Sequence, residues 1–377
     1  MKILMVSMNS IHFRRWSEQL RNSGHEVFWF DVLDQGYAPS MSWMTQITDW
    51  KKGFLKSRGR TLFKKKLPTL FNFLSNRFDH RVDTVFEKTL KVVQPDVVHS
   101  FALYVSCTPI YNVMAKFQQI KWIYSSWGSD LYYYKNETSY LEDIKRILPR
   151  IDFLFTDCHR DHQTAVNLGF SGKFLGVFPG GGGFDLEFIE SQTIPYTMRD
   201  VILVKGYENR SGRSVKVLLA LEQIADSLSN FKVVVFGAED PAVLRFRESD
   251  IPNIQIHHLL PHKKILKLMG SAMIYIGNSN SDGMPNTMLE AMCAGAYVIQ
   301  SNPGGSTEEI IENGTNGSLI NDCEDVEQIK SVINKALLSV EHRSKAVSFN
   351  NNELAPKLDR DLVISQVIDA YHQVAEG

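Results

Sequence analysis

Residues 276–311 read IGNSNSDGMPNTMLEAMCAGAYVIQSNPGGSTEEII. An apolar, strand-like run leads into a turn-rich loop that carries Asp282, and a helix expected to begin at Pro285 or Asn286 carries Glu290. A strand, a polar loop and a helix start in this order bind anions, because unpaired backbone N–H groups and the helix dipole point at the ligand. Glu290 would lie about 6–7 Å along the helix axis, close to the offset between a diphosphate and its ribose. With Asp282 on the other side of the phosphates, the stretch predicts an α/β domain that binds a nucleotide-sugar.

The same stretch continues with a predicted strand at 297–301 and with Pro303-Gly304-Gly305, which are expected to open another helix. Asp282 and Glu290 are separated by seven residues. This motif resembles one in the retaining glycosyltransferases of family four, which have the GT-B fold. That family usually has Glu-Gly-Phe-Gly at the first acid and Glu-Ala-Met at the second. Here Asp282-Gly283-Met284-Pro285 and Glu290-Ala291-Met292 stand at these places, so the first acid is Asp rather than Glu.

Length and composition describe a globular protein with room for two domains. The chain has 377 residues, 44% hydrophobic and 22% charged, and its net charge of −1 gives no general argument for nucleic-acid binding. The N-terminal apolar run is too short for a signal peptide, and no run of about 18 apolar residues predicts a membrane span. Four cysteines form no C-x-x-C pair and are expected to be reduced thiols of a cytoplasmic protein. They are Cys107, Cys158, Cys293 and Cys323.

The first half of the chain alternates between strand-like and helical segments. A short apolar run at 2–7 is followed by a polar loop at 8–12 and an amphipathic segment at 13–22. The alternation predicts one doubly wound parallel sheet up to about residue 185. Its further strands are expected at 26–30, 97–101, 122–126, 153–156 and 173–177.

Two loops of this first half are candidates for binding the acceptor. Ligands of doubly wound sheets bind beyond the carboxyl ends of strands, and residues 127–130 follow a predicted strand. The family often has His-Gly-x-Asp here, where this chain has Trp127 in place of His and keeps Asp130. After the first strand, Asn9-Ser10-Ile11-His12 replaces the usual glycine pair. The resemblance implies that Ser10, His12, Trp127 and Asp130 bind the acceptor.

A glycine-rich stretch, FPGGGGF at 178–184, lacks the spacing of a dinucleotide-binding loop and is expected to be a turn between domains. The resemblance predicts a GT-B protein, with two Rossmann-like doubly wound parallel-sheet domains facing across a cleft. The predicted parts are an acceptor-binding domain at 1–190, a linker at 191–200, a nucleotide-sugar-binding domain at 201–358, and a C-terminal helix at 359–377 that crosses back to the first domain.

Three cations follow the predicted strand at 201–204 and precede a predicted helix at 214–225: Lys205, Arg210 and Arg213. They suit a diphosphate, because the arginine fork matches phosphate oxygens. The family has a basic residue at the strand end and a second about five positions later, a spacing that Lys205 and Arg210 fit. Arg213 lies nearer the helix, and the choice between Arg210 and Arg213 stays open.

The rest of the second half supplies further donor-binding candidates. Strands are predicted at 232–237, 253–258 and 273–277, and a helix at 263–269. His257, His258 and His262 have no converging metal ligands and are interpreted as ordinary loop and strand residues. In the family, backbone groups after the second of these strands meet the nucleobase. The remaining donor-binding residues implied by the resemblance are Leu260, near the base, with Gly206, Gly283, Met284, Pro285, Asn286 and Thr287.

The resemblance implies transfer of a hexose-type sugar, with retention, from a UDP- or GDP-sugar to a saccharide or lipid-linked saccharide in surface glycan assembly. Glu290 would bind the ribose, Asp282 would hold hydroxyl groups of the transferred sugar, and Lys205 and an arginine would stabilise the leaving diphosphate. No metal or other cofactor is expected, because these cations supply the charge and no Asp-x-Asp pair follows a strand.

Two alternatives remain. His12, in the loop after the first strand, could be the general base of an inverting GT-B enzyme, since histidine suits that role at neutral pH. Alternatively, the departures from the family motif could mark a nucleotide-sugar-binding subunit without catalysis.

A basic stretch at 50–78 has two equally weighted interpretations. Between Asp49 and Asp79 there is no acid, while lysines and arginines alternate with Trp50, Phe54 and Phe63. Such a segment can lie on an anionic membrane, and the inner face of the cytoplasmic membrane is then the expected place. A solvated helix face with a core stripe explains the same residues.

Overall fold

The computed structural model describes residues 1–51 and 80–376, which form two compact units. Unit 1 comprises Met1–Thr156, His162–Val177 and Val367–Gly377, and unit 2 comprises Asp157–Asp161 and Phe178–Gln366. The predicted linker at 191–200 therefore lies inside unit 2, and the end of the predicted crossing helix groups with unit 1. Most of the basic stretch, from residue 52 to 78, lies outside the described residues.

The sheet of unit 1 has seven described strands, all parallel, in the order β3-β2-β1-β4-β5-β6-β7. Strands β1, β4, β5 and β6 are buried over nearly all of their residues, as expected for strands covered by helices on either side. The strands are β1 Lys2–Ser7, β2 Glu26–Asp31, β3 Thr45–Ile47, β4 Val97–Phe101, β5 Lys121–Ser125, β6 Phe153–Thr156 and β7 Lys173–Val177.

The helices of the first part of the chain connect these strands. They are α1 Ile11–Glu18, α2 Val82–Val93, α3 Tyr111–Met114, α4 Ser129–Tyr132, α5 Thr138–Ile147 and α6 His159–Asn167. The first turn of α6 groups with unit 2.

Unit 2 has a second parallel sheet, in the order β10-β9-β8-β11-β12-β13. Its strands are β8 Val201–Lys205, β9 Lys232–Phe236, β10 Gln255–Ile256, β11 Ala272–Gly277, β12 Tyr297–Ser301 and β13 Ser318–Ile320. Its helices are α7 Leu186–Ser191, α8 Ser214–Glu222, α9 Pro241–Leu244, α10 His262–Ser271, α11 Asn286–Cys293, α12 Val326–Leu338, α13 Val340–Phe349 and α14 Arg360–Glu376, whose second half groups with unit 1.

The continuous apolar strands explain why the unit 2 sheet is covered on both sides. Successive side chains of a strand point to opposite faces. Ile202 and Val204 of β8 lie in one core cluster, whereas Val201 and Leu203 lie in the other. The prediction of two Rossmann-like doubly wound parallel-sheet domains is confirmed.

Two local predictions are wrong. Pro303-Gly304-Gly305 does not open an α-helix but forms a short 3-10 turn, because Gly304 and Gly305 have φ values of +63° and +86°, outside the right-handed helical region. His12 lies in the first turn of α1 rather than in a loop, because Ser10 ends the loop by capping that helix. Other element limits shift by a few residues, and β10, for example, shortens to two residues.

The C-terminal segment contributes to the core of unit 1. The hydroxyl of Tyr371 lies 2.5 Å from Nδ1 of His99, and Nε2 of His99 lies 2.8 Å from Oγ of Ser125. Burial lowers the pKa of His99 well below its ordinary value. All four cysteines are free thiols. No helix among the described residues is long and apolar enough to cross a membrane.

Candidate functional site

The carboxyl ends of β8 and β11 form the point in the unit 2 sheet where the strand order reverses, since β9 lies on one side of β8 and β11 on the other. Doubly wound sheets bind ligands at this point. The loops that follow the two strands are joined by backbone hydrogen bonds. Arg213 donates to the carbonyl of Asn278 at 3.0 Å, and Asn280 donates to the carbonyl of Ser211 at 2.9 Å. The cationic loop and the acidic loop are therefore held side by side.

Lys205 and Asp282 meet at this edge. Nζ of Lys205 lies 4.0 Å from Oδ2 of Asp282, and their side chains are 29% and 33% exposed. Oδ1 of Asp282 accepts a hydrogen bond of 3.0 Å from the N–H of Gly283. An ion pair as accessible as this contributes at most about 1 kcal/mol to stability. Both groups are therefore accessible to a ligand at little cost.

The two arginines of the cationic loop differ in their surroundings. Arg213 forms an ion pair with Glu324, and Lys216 lies 3.3 Å from the same carboxylate. The hydrogen bond from Arg213 is the main reason why the pKa of Glu324 is below its ordinary value. Arg210 is exposed on the same loop. The charge of Arg213 is therefore already balanced by a carboxylate.

Helix α11 begins after Pro285, as predicted, and no side chain of the described residues caps its N-terminus. Met284 is buried in the core of unit 2. The hydroxyl of Thr287 accepts a hydrogen bond of 3.0 Å from Tyr275. Of the donor-binding candidates here, Met284 packs in the core and Thr287 is hydrogen-bonded. The positive end of the helix dipole remains available to an anion.

Gly206 and Leu260, two other donor-binding candidates, have structural explanations as well. A Cβ at Gly206 would come within 2.7 Å of Cγ1 of Val235 and 3.0 Å of the carbonyl of Phe236, so only glycine fits beside β9. Leu260 is half-buried against the core of unit 2. Their predicted contacts with the donor stay predictions.

Glu290 lies inside α11 and is only 3% exposed. One of its carboxylate oxygens is 2.7 Å from Nε2 of His262, an exposed residue at the start of α10. The sequence-based interpretation of His262 as an ordinary loop residue missed this contact. The two residues are 28 positions apart, and nothing in their local sequence indicates that they meet.

A segment that the sequence did not single out lies against the acidic loop. The guanidinium of Arg160 donates to the carbonyl of Asp282 at 2.8 Å, to the carbonyl of Pro303 at 2.6 Å, and to Oδ1 of Asp161 at 2.7 Å and 2.9 Å. The backbone N–H groups of His159 and Arg160 both donate to Glu309 at 2.7 Å. Arg160 therefore anchors the backbone of the loop that carries Asp282.

The neighbours of Arg160 are the one group of possible metal ligands found among the described residues. Asp157, Cys158 and Asp161 are all buried, and their ligand atoms lie within 4.8 Å of one another. Arg160 already balances the charge of Asp161, and burial raises the pKa of the Cys158 thiol, which opposes the thiolate form that metals bind. This donor set fits a metal poorly.

In unit 1, the side chains of two of the four acceptor-binding candidates lie beside each other. The ring of His12 lies 5.8 Å from that of Trp127. Ser10 accepts a hydrogen bond of 3.1 Å from the N–H of Phe13 and so caps α1. Asp130 is buried, and its carboxylate accepts hydrogen bonds from four groups of the surrounding loops. The donors are the N–H groups of Leu103 and Trp127 and the hydroxyls of Tyr124 and Ser126.

Residues 187–352 match the family model described as "Glycosyl transferases group 1". This range contains Lys205, Asp282 and Glu290. Unit 2 is therefore similar to glycosyl transferases of group 1 over most of its length, and we call it the group 1 domain. One curated relative, spore coat protein SA of Bacillus subtilis (strain 168), is 30% identical over 112 residues. That alignment spans 29% of this chain and 29% of the relative.

Solved structures resemble the whole chain, and they show that the group 1 domain is part of a GT-B fold, as predicted. Sucrose-phosphate synthase from Thermosynechococcus elongatus has a TM-score of 0.75 at 16% identity, covering 100% of this chain and 99% of that one. A glycosyltransferase from Rickettsia africae has a TM-score of 0.67 at 16% identity, covering 100% and 99%. Anabaena HepE in complex with UDP and glucose has a TM-score of 0.69 at 12% identity, covering 99% and 100%.

Proposed function

We propose that this chain is a glycosyltransferase that moves a hexose-type sugar from a nucleoside diphosphate sugar to a saccharide or lipid-linked saccharide. The observation that carries the proposal is the meeting of Lys205 and Asp282 within 4.0 Å where the strand order of the group 1 domain reverses. A cation and a carboxylate beside the start of α11 match the two ends of such a donor, which are an anionic diphosphate and a sugar rich in hydroxyl groups.

The proposed diphosphate contacts are Lys205, Arg210 and the N-terminus of α11. The dipole of α11 contributes about 0.3–2 kcal/mol toward binding an anion. Arg210 is preferred to Arg213 because it fits the family spacing and because Arg213 is paired with Glu324. These groups stabilise the charge that grows on the leaving diphosphate, and the proposal includes no metal because side chains supply this charge.

The proposed ribose contact is Glu290. A charge-assisted hydrogen bond to a ribose hydroxyl contributes about 1.5–3 kcal/mol. His262 lies 2.7 Å from this carboxylate and orients it before the donor binds.

The proposed reaction retains the anomeric configuration. The bond between C1 of the sugar and the diphosphate oxygen breaks, the acceptor oxygen bonds to C1 on the same face, and the leaving phosphate takes the acceptor proton. Asp282 holds hydroxyl groups of the transferred sugar. Its side chain is one methylene shorter than the usual Glu, so we expect a sugar preference that differs from that of relatives with Glu.

UDP is the first nucleotide to test. HepE was crystallised with UDP and with UDP-glucose, and a trehalose-phosphate synthase from Burkholderia xenovorans is described as UDP-forming. A role in surface glycan assembly in the cytoplasm, with membrane contact through residues 50–78, stays a prediction from the resemblance.

The decisive test of this function is a donor screen followed by a variant. Thermal-shift assays with UDP-glucose, UDP-galactose, GDP-mannose and ADP-glucose identify the donor, because a ligand that binds the folded chain raises Tm. With that donor, we expect Glu290→Ala to lower kcat/KM at least tenfold, about 1.4 kcal/mol. Glu327→Ala, which removes an exposed carboxylate on α12, is the matched control. An unchanged kcat/KM for Glu290→Ala would rule out the ribose contact.

An inverting reaction with His12 as base is the second candidate. His12 is exposed on the first turn of α1, with its ring beside Trp127. NMR of the product's anomeric centre separates the two, since inversion rules out retention. If the donor binds but neither transfer nor hydrolysis occurs with any acceptor tested, the chain is a nucleotide-sugar-binding subunit.

A further inference from the structure

Asp157 is a buried carboxyl group that the proposed reaction does not yet use. It is 7% exposed, and its Oδ1 has no hydrogen-bond partner among the described residues. The thiol of Cys158 forms a hydrogen bond with its side chain. Buried polar atoms are nearly always paired in folded proteins, so an unpaired carboxyl oxygen indicates a group that binds something else.

The carboxyl of Asp157 lies directly against the motif that precedes α11. A Cβ built on Gly283 would lie 2.1 Å and 2.4 Å from its two oxygens. Position 283 therefore has to be glycine for Asp157 to be where it is. Arg160 holds this arrangement in place, because it donates to the carbonyl of Asp282 from three residues further along the same segment.

Asn286, in the first turn of α11, is a second unpaired group at the same place. Its Oδ1 is buried and has no partner in the described part of the chain. The side chains of Asn286 and Asp157 both lie beside Gly180 of the glycine-rich stretch. A Cβ at Gly180 would lie 3.6 Å from Nδ2 of Asn286 and 3.9 Å from Oδ2 of Asp157. Both side chains thus border Gly180, and each carries one oxygen without a hydrogen-bond partner among the described residues.

The chemistry of these atoms favours a sugar over a phosphate. Both unpaired atoms are oxygens that accept hydrogen bonds, and a hexose presents neighbouring hydroxyl groups that donate them. A fully ionised phosphate has only acceptors and cannot donate a hydrogen bond to either oxygen. Burial, and next the charge of Asp161, raise the pKa of Asp157 well above its ordinary value, opposed by the charge of Arg160.

We propose that Asp157, with Asn286 beside it, binds hydroxyl groups of the transferred sugar and determines which hexose the enzyme accepts. This inference rests on the proposed function. It adds a specificity-determining residue from a segment outside the range matched by the group 1 model.

The test combines a side-chain deletion with deletions of single substrate hydroxyls. kcat/KM is measured for wild type, Asp157→Ala and Asp226→Ala with UDP-glucose, or with whichever donor of the screen turns over, and with its 2-, 3-, 4- and 6-deoxy analogues. Asp226 is exposed and serves as the control. With the full donor, we expect the kcat/KM of Asp157→Ala to be at least tenfold below that of wild type. For this variant, one of the deoxy analogues should have the same kcat/KM as the full donor. The affinity for UDP alone, measured by calorimetry, should change less than twofold.

Two results would overturn the inference. One is that, for every deoxy analogue, the loss in kcat/KM caused by Asp157→Ala is as large as it is for the full donor. This would mean that Asp157 contacts none of the hydroxyls. The other is a fall in affinity for UDP as large as the fall in kcat/KM, which would indicate a general disturbance of the site. In both cases wild-type turnover leaves the proposed function standing. If wild type turns over no nucleotide-sugar and UDP leaves its Tm unchanged, the proposed function fails, and this inference with it.

Discussion

The loop around Asp130 in unit 1 and the segment around Asp157 in unit 2 each hold a buried aspartate, with opposite outcomes. Burial raises the pKa of both. The carboxylate of Asp130 accepts hydrogen bonds from four donors of its own unit, whereas Oδ1 of Asp157 has none among the described residues. A fully paired carboxylate stabilises the loop it holds. A buried carboxyl group with an unpaired oxygen lowers stability, and a ligand that donates a hydrogen bond to that oxygen would offset the loss.

Asp130 should give the largest effect on stability. We expect Asp130→Ala to lower the free energy of unfolding by about 3 kcal/mol, because it leaves the Tyr124 hydroxyl and the Leu103 N–H buried without an acceptor. Urea denaturation measures this loss. The acceptor KM of the folded fraction should stay within twofold. A normal stability with a raised acceptor KM would instead support the contact with the acceptor that the resemblance implies.

The two arginines of the cationic loop allow a comparison between cations. Arg210→Ala should weaken UDP binding about tenfold, or about 1.4 kcal/mol. Arg213→Ala should weaken it less than threefold, because Glu324 already balances that guanidinium. Isothermal titration calorimetry at one fixed salt concentration compares them. The reverse order would assign the phosphate to Arg213 and would show that an existing ion pair does not prevent ligand binding.

Asp157→Asn should give the smallest change in the free energy of unfolding, and the sign of that change is informative. Because the pKa of Asp157 is raised in the folded chain, its carboxyl group keeps a proton at pH values where the unfolded chain has lost it. The stability of wild type therefore falls as pH rises from about 4 toward the pKa of the folded state. Because the variant lacks this titration, it should be more stable than wild type at pH 7.5 and equal to it near pH 4. Thermal unfolding of the variant and wild type at both pH values measures this difference. A variant less stable than wild type at pH 7.5 would show that Asp157 is a structural residue like Asp130.

Much of the fold was predictable because strand and helix positions depend on neighbouring residues. The apolar run of β8 alternates between two cores, and the nine residues from Asp282 to Glu290 span the start of one helix. The same reasoning failed where a local conformation decided the outcome. Gly304 and Gly305 adopt positive φ and end the predicted helix, and the Ser10 cap draws His12 into α1.

The site was only half predictable for a different reason. The amino-acid sequence by itself determined the two parallel sheets, the cations after β8 and the acids around α11, because each is encoded by residues within one turn or one strand of each other. The tertiary structure decided that Lys205 meets Asp282, that His262 meets Glu290, and that Asp157 and Arg160 lie against the acidic loop. These partners come from distant segments. Lys205 and Asp282 meet because the parallel strands β8 and β11 bring their carboxyl ends to one edge of the unit 2 sheet.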